Sequence, residues 1–459
     1  MKKITLFLVL LSSVLAIAAC GPNKSKTESN KDSDVVNLNF TFWGDTLEKE
    51  SVDKLVNTFN DSQDKIKVKS QQIPYDNYME KLNTMASTKT LPDVGYMVES
   101  STAEWGNSGK LKDLSELYAE GGAFEGKIAE TTSKYRNGKI YGSPAGPGML
   151  TMFYNKKYFE ETGVELPPHE VAKAWDWDTF VEKLKELTVD RNGKHPGEDG
   201  FDEKNIATYG ISNFTGLGYE SFLIGNGGGL VSEDGETILL GKKESIDAID
   251  KLQSLMYEHY VMPKPSQAST IPSTDTALLT NRVAMSITGS WDLRSLSAAM
   301  KDKGLNLAMG VLPKMDQKVV QMNFGPPIVV FDNDNTKENW AETQEFLEFL
   351  LNPENSIDVI NSGLWLPNQN DWYTDPEKLD IWANQENSPE FKKEALVEAK
   401  ENALAKNKAF YVEDATTIEQ IVNPALEQVW TGKKDAKDVI ENEIIPKLKK
   451  ELGDKYKFE

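Results

Sequence analysis

The chain is predicted to be an α/β protein of more than one domain, and three observations predict it. Its 459 residues exceed what one ordinary core of roughly 100–200 residues holds. Its composition, 39% hydrophobic and 27% charged, is that of a globular chain, neither a polytopic membrane protein nor a polymer disordered throughout. The third is the order of periodicities after residue 35, where two-residue alternation and helical spacing succeed one another at the lengths of an α/β sheet.

The elements follow in chain order. Val36, Leu38, Phe40 and Phe42 alternate with Asn37, Asn39 and Thr41, a strand with one apolar face, and Gly44 ends it. Val52, Leu55, Val56 and Phe59 then share one helical face, with Asp45 or Thr46 placed to cap it. A second strand falls near Ile66–Ile73 and a helix from Asn77 to Ser87, with Asp76 as cap; a third strand falls near Asp93–Val98. Strand–helix–strand–helix–strand predicts a mostly parallel sheet, whose ligands sit at the carboxyl ends of the strands. Those ends are Trp43-Gly44-Asp45, Tyr75-Asp76 and Met97-Val98-Glu99-Ser100, each combining a large apolar or aromatic side chain with a carboxylate. Asn137-Gly138 marks a hairpin, and the Pro and Gly residues at 144–148 interrupt a strand-like run, which predicts a first domain crossing. Helical periodicity returns at 176–188, 245–257, 340–351, 394–404, 418–430 and 438–452; Asp234-Gly235 reads as another hairpin. No repeat of fixed period is present.

Composition excludes several classes of function. Acidic residues outnumber basic ones 72 to 51, giving a net charge of −21, so nucleic acid is not an expected partner. One cysteine and three histidines rule out a disulfide scaffold or a Cys/His zinc site. No cofactor and no metal are expected. Asp190-Arg-Asn-Gly193 and Asp332-Asn-Asp-Asn335 read as polar turns, since neither carries the spaced ligand set of a calcium loop.

The amino terminus carries an address. Lys2 and Lys3 precede an apolar run from Ile4 to Ala19, too short for a membrane span of about 20 residues but right for a signal peptide. Ile17-Ala-Ala-Cys20 resembles the lipobox of bacterial lipoproteins. The resemblance implies that residues 1–19 are removed, that Cys20 is lipidated, and that 20–35 tether the body to the extracytoplasmic face of the cell membrane.

Farther along, a set of short motifs falls in one order. They include Phe40-Thr-Phe-Trp-Gly44, Leu91-Pro-Asp-Val94, Tyr141-Gly-Ser-Pro144 with Phe153-Tyr-Asn-Lys156, Trp175-Asp-Trp-Asp-Thr-Phe180, Asn281-Arg-Val-Ala-Met-Ser286 with Gly289-Ser-Trp-Asp292, and Gly363-Leu-Trp-Leu-Pro367. In this order the chain resembles the extracellular solute-binding lipoproteins of ABC sugar importers, the family that includes maltose-binding protein. The resemblance implies a two-lobed periplasmic-binding-protein-like fold with the ligand cleft between the lobes and three hinge crossings. These are expected near Ala145–Gly148, Leu307–Val311 and Phe331–Thr336. Lobe one is then 36–145 and 310–332, and lobe two 147–308 and 334–459. It also implies a non-enzymatic, monomeric binder of a carbohydrate that closes on its ligand and delivers it to permease subunits.

Site candidates follow from both readings. Trp43, at a strand end, offers a stacking face for a sugar ring. Trp291 and Trp365 occupy loops where the family places cleft aromatics, and Asp292 beside Trp291 either binds hydroxyls or caps the helix behind it. Asp45, Asp76 and Glu99 are strand-end carboxylates suited to accept bonds from vicinal hydroxyls, with capping as the competing role of Asp45 and Asp76. Tyr75, Met97, Tyr219, Glu220, Asn323 and Phe324 are positional candidates. Gly148 stands where other members carry a polar residue, so maltose specificity does not transfer directly.

Alternatives remain at this level. A glycerol phosphodiester would want cleft arginines, and none lies near Trp43, Met97 or Trp365 in sequence; Arg294 beside Trp291 is the nearest. A polyamine suits carboxylates and aromatics equally. A surface-anchored glycoside hydrolase needs a pair of carboxyl groups about 5–10 Å apart, which counting residues does not exclude, although no hydrolase motif is present.

Overall fold

A computed structural model describes residues 35–383 and 388–459. The signal segment and Cys20 lie outside the described residues. The strand Val36–Phe42 is the centre from which the first lobe grows. It pairs in parallel with Ile66–Gln72 on one side and Val94–Tyr96 on the other. Pro327–Val330 and Ser143–Pro144 complete the sheet as antiparallel neighbours. Between the first two strands runs the helix Thr46–Ser62, burying the four apolar residues its spacing marks, Val52, Leu55, Val56 and Phe59. Each such side chain contributes about 1.5–3 kcal/mol by leaving water. Asp45 caps this helix, its carboxylate accepting from Glu48 N at 2.7 Å. The second helix, Tyr75–Thr88, starts earlier than its periodicity suggests: Pro74 precedes it, and Asp76 lies in its first turn without capping.

The second lobe is built on Gly148–Asn155, the longest strand among the described residues and buried along its whole length. Antiparallel to it run Val283–Gly289 on one edge and, on the other, Leu307–Gly310 and Gln321–Phe324 at successive positions. Ile206–Ile211 adds in parallel beyond Val283–Gly289, and Leu404–Ala405 beyond Gln321–Phe324. Helices Trp177–Leu187, Lys243–Tyr257 and Ala415–Trp430 cover this sheet with Phe180, Leu184, Leu252, Val422 and Leu426.

Two lobe boundaries differ from those expected. Residues 310–324 were expected in lobe one, yet Leu307–Gly310 and Gln321–Phe324 hydrogen-bond into the second sheet, so the chain returns at Gly325-Pro326 and not near Leu307–Val311. Nor does it leave again at Phe331–Thr336. There Asn333 caps a short helix, and Asn333 and Asn335 donate to the Asp93 carboxylate of lobe one at 3.1 and 2.9 Å. The following helix, Trp340–Leu351, sets Phe346 against Phe40 and Phe59 of the first lobe, with ring centroids 5.8 and 5.1 Å apart. Residues 340–383 therefore belong to lobe one. By Glu390, which bridges to Ala308, the chain is on lobe two, where it stays. The physical reason is common to both corrections: periodicity shows that an element has an apolar face, and not which sheet covers it.

Among the described residues, no helix is long and apolar enough to cross a membrane. The Asp190 carboxylate accepts from the backbone N–H of Asn192, Lys194 and Asp202 at 2.7, 2.9 and 2.8 Å, the work of a turn organiser.

Candidate functional site

Between the lobes lies a cavity of about 710 Å³, within the ~300–1,000 Å³ of small-molecule sites. Its lobe-one wall is made where the strands end, as the sheet topology requires. Trp43 follows Val36–Phe42, Glu99 follows Val94–Tyr96, and Tyr75 opens the helix between. The Trp43 indole stands edge-on to Tyr75, Tyr78 and Tyr96 at 5.3, 4.9 and 5.1 Å, which fixes its plane while one face stays on the cavity.

Lobe two supplies the opposite wall from Tyr219 and Glu220 on the helix Thr215–Gly225, from Trp291 and Asp292 after the strand Val283–Gly289, and from Lys408, Glu419 and Asn423. Trp291 meets Phe324 edge-to-face at 6.1 Å. Glycine is required beneath it at 289, where a Cβ would lie 2.1 Å from the indole; one on Gly148 would press on it at 3.1 Å. Trp365 closes the cavity from the segment behind the hinge.

Carboxylates dominate the electrostatics. Lys408, only 4% exposed, sits between Glu220 at 2.6 Å and Glu419 at 3.1 Å. Burial alone would lower its pKa, but the two carboxylates outweigh burial and hold it charged. Arg294 approaches Asp45 across the cleft at 3.9 Å. Burial pushes Glu48 up to about 7, aided by Asp45 and opposed by Tyr96 and Arg294. Glu99 is raised by burial, against the backbone N–H groups it accepts from, one of them Gly325 N at 3.1 Å. Asp292 is raised chiefly by burial and accepts from Thr288 and Thr274 hydroxyls at 3.0 and 3.2 Å. Its side chain makes no cap bond to the helix that follows. Asp45 caps its helix, the competing role weighed for it, and also lines the cavity.

The cavity thus gathers Trp43, Asp45, Tyr75, Glu99, Tyr219, Glu220, Trp291, Asp292, Phe324 and Trp365. It does not gather Asp76, exposed on the outer side of its helix turn, nor Met97 and Asn323, both fully buried in the sheets. Neither Asn323 side-chain polar atom has a partner among the described residues. Sequence reasoning missed Glu48, Lys408 and Glu419 and left Arg294 as a neighbour only. Glu48 was within reach, one turn after Asp45; Lys408 and Glu419 return from the far end of the chain, with no local signal.

A two-lobed α/β body with a ring-lined, water-accessible cleft at its strand ends defines a protein that encloses a small solute. Residues 54–393 match the bacterial extracellular solute-binding protein family, and the chain belongs to that family. It is 23% identical over 452 residues to the galactooligosaccharide-binding protein of Bacillus subtilis, covering 96% of this chain and 95% of the relative. It is 23% identical over 372 residues to the sn-glycerol-3-phosphate-binding periplasmic protein of Escherichia coli, covering 78% and 79%. Among solved structures, an ABC substrate-binding protein of Listeria monocytogenes in complex with cycloalternan superposes with a TM-score of 0.74 at 22% identity, over 91% of this chain and 99% of that one. The family places the protein outside the cytoplasm, as a binder of solute.

Proposed function

We propose that the protein captures an oligosaccharide in the inter-lobe cleft and delivers it to the permease of an ABC importer, as a monomer held at the outer face of the membrane through lipid on Cys20. The arrangement of rings carries this reading. Trp43 and Trp291 stand on opposite walls, and Trp365 and six carboxylates line the same cavity, so apolar faces can meet sugar C–H surfaces while the oxygens accept from hydroxyls. The names of the Bacillus and Listeria relatives support the solute class. A phosphate ligand is disfavoured: both cations of the cleft, Arg294 and Lys408, already face carboxylates. A polyamine is the second reading, favoured by the excess of acidic groups over those two cations.

Thermal unfolding with a β-galacto-oligosaccharide, maltotriose, sn-glycerol 3-phosphate and spermidine tests these against one another. A saccharide at 100 times its dissociation constant should stabilise the fold by about 2.7 kcal/mol. Stabilisation by spermidine or glycerol phosphate alone would replace the reading. Release of reducing ends from an intact oligosaccharide would turn the binder into a hydrolase.

A further inference from the structure

Where the lobes join, the crossing segments are packed backbone against backbone. Gly325 has φ +125°, a conformation open to glycine, and a Cβ there would lie 2.9 Å from the Gly146 carbonyl oxygen. A Cβ on Gly146 would lie 2.1 Å from the Leu366 carbonyl oxygen, and one on Gly148 would lie 2.9 Å from that of Phe324. The outgoing crossing, the returning crossing and the segment carrying Trp365 therefore meet at three glycines, directly beneath the ligand cleft. Such a junction has little side-chain bulk to resist a change of φ and ψ, as a hinge requires.

One side chain reaches this junction from the cleft wall. Glu99, in the turn after the strand Val94–Tyr96, belongs to lobe one and lines the cavity. Its Oε1 accepts from Gly325 N at 3.1 Å, in the middle of the return crossing. A carboxylate offers about four acceptor positions; the backbone N–H groups of Gly325 and of Glu99 itself take two, and the others are open to a ligand. The charged and titratable groups around it are Lys408 and Glu419 of lobe two and Tyr75 and Tyr135 of lobe one.

We propose that Glu99 is the positioning residue that couples ligand occupancy to the setting of the hinge, one carboxylate oxygen holding the Gly325 amide while the other receives a hydroxyl of the bound solute. The inference rests on the inter-lobe cleft being the ligand site. A donor from the ligand orders the carboxylate, and an ordered carboxylate keeps the Gly325 amide in the setting seen here. Ligand binding thereby selects that setting from those the glycines permit.

Hydrogen exchange tests it, followed over the peptide spanning Gly325, with a β-galacto-oligosaccharide and maltotriose as probes. In the wild-type chain a bound saccharide should slow exchange there by about tenfold or more, the scale of one charge-assisted hydrogen bond. Glu99→Ala should abolish that ligand-dependent slowing and weaken binding at least about tenfold, while peptides around Trp43 and Trp291 still gain protection. Glu99→Gln retains an acceptor oxygen and should restore at least half of the slowing; it also carries the test if the alanine variant melts early. Ligand-dependent protection at Gly325 unchanged in Glu99→Ala, or no rescue by glutamine, overturns the coupling. Failure of the wild-type chain to bind either saccharide overturns the carbohydrate reading, and this inference with it.

Discussion

At the scale of single residues, the site is a set of rings held by glycine and of carboxylates held by burial, and both can be tested. Trp291→Ala should weaken saccharide binding by roughly 1–3 kcal/mol, as loss of a buried aromatic anchor does. Gly289→Ala should produce much of the same loss without touching a ligand contact. Its φ of −82° accepts alanine, but the added Cβ would displace the indole. Isothermal titration on the folded variants decides; full affinity in Gly289→Ala would show that the indole is not held where binding needs it. Glu48 gives a pH signature. Its pKa is raised from an ordinary 4.5 to about 7, mainly by burial. Its contribution to stability is therefore complete below about pH 4.5 and lost as the pH rises through 7, because the folded state then surrenders a proton the unfolded state has already lost. Glu48→Gln should remove that slope and gain about 1–3 kcal/mol over wild type at pH 8 compared with pH 4.5. Parallel melting curves at the two pH values would refute it. These residues were unequally legible. Trp43, Asp45 and Glu99 were readable because an alternating strand announces its own end, and open α/β sheets place ligands there. Lys408 and Glu419 were not, since only the three-dimensional return of the carboxyl-terminal segment brings them to the cleft.

At the scale of elements, the helices that periodicity marked were legible to within a few residues. Thr215–Gly225, buried nearly all round and so without an apolar stripe, was not marked, and which sheet each helix covers was not legible. Val52, Leu55, Val56 and Phe59 mark a stripe whichever sheet lies beneath, and adjacency to the first strand settles the choice. The helix Trp340–Leu351 has an equally clear stripe, but its sheet lies some three hundred residues back, so sequence order suggested the wrong lobe. A buried lysine amine fixes it there. Lys127 donates to the Leu351 carbonyl oxygen at the helix end and, at 2.7 Å, to Asn368 Oδ1, while Asn368 Nδ2 donates to the Pro144 carbonyl oxygen at 3.0 Å, beside the first crossing. Burial pushes the Lys127 pKa down from 10.5 to about 7, with Asp371 opposing. Between pH 7 and 10.5 the unfolded lysine binds a proton that the folded one does not, so this residue makes stability rise with pH across that window. Wild type should accordingly gain on Lys127→Met by about 1 kcal/mol per pH unit from pH 7 to 9 in urea unfolding. A gap that stays constant would mean that the amine is charged in the fold.

At the scale of the whole molecule, the net charge of −21 and the chemistry of the cleft act together. Asp45, Glu48, Glu99, Glu220, Asp292 and Glu419 line the cavity against Arg294 and Lys408 alone. Lys408 lies between two of these carboxylates and Arg294 lies 3.9 Å from a third, so the charge of each cation is offset by a neighbouring carboxylate. An anionic solute thus meets repulsion twice, from the body during approach and from the walls once inside. A neutral saccharide meets neither, and its hydroxyls supply the donors that the carboxylates lack. An oligosaccharide carrying a uronate should therefore bind at least about tenfold more weakly than its neutral counterpart at low salt, where like charges facing each other are least screened. The difference should narrow as ionic strength rises beyond about 0.1 M, where the Debye length falls to about 10 Å, and should close only in part, since the walls of an enclosed cleft are screened less than its exterior. Equal affinities for the two sugars at low salt would show that the carboxylates turn away from the ligand, and would leave the aromatic rings as the sole basis of recognition.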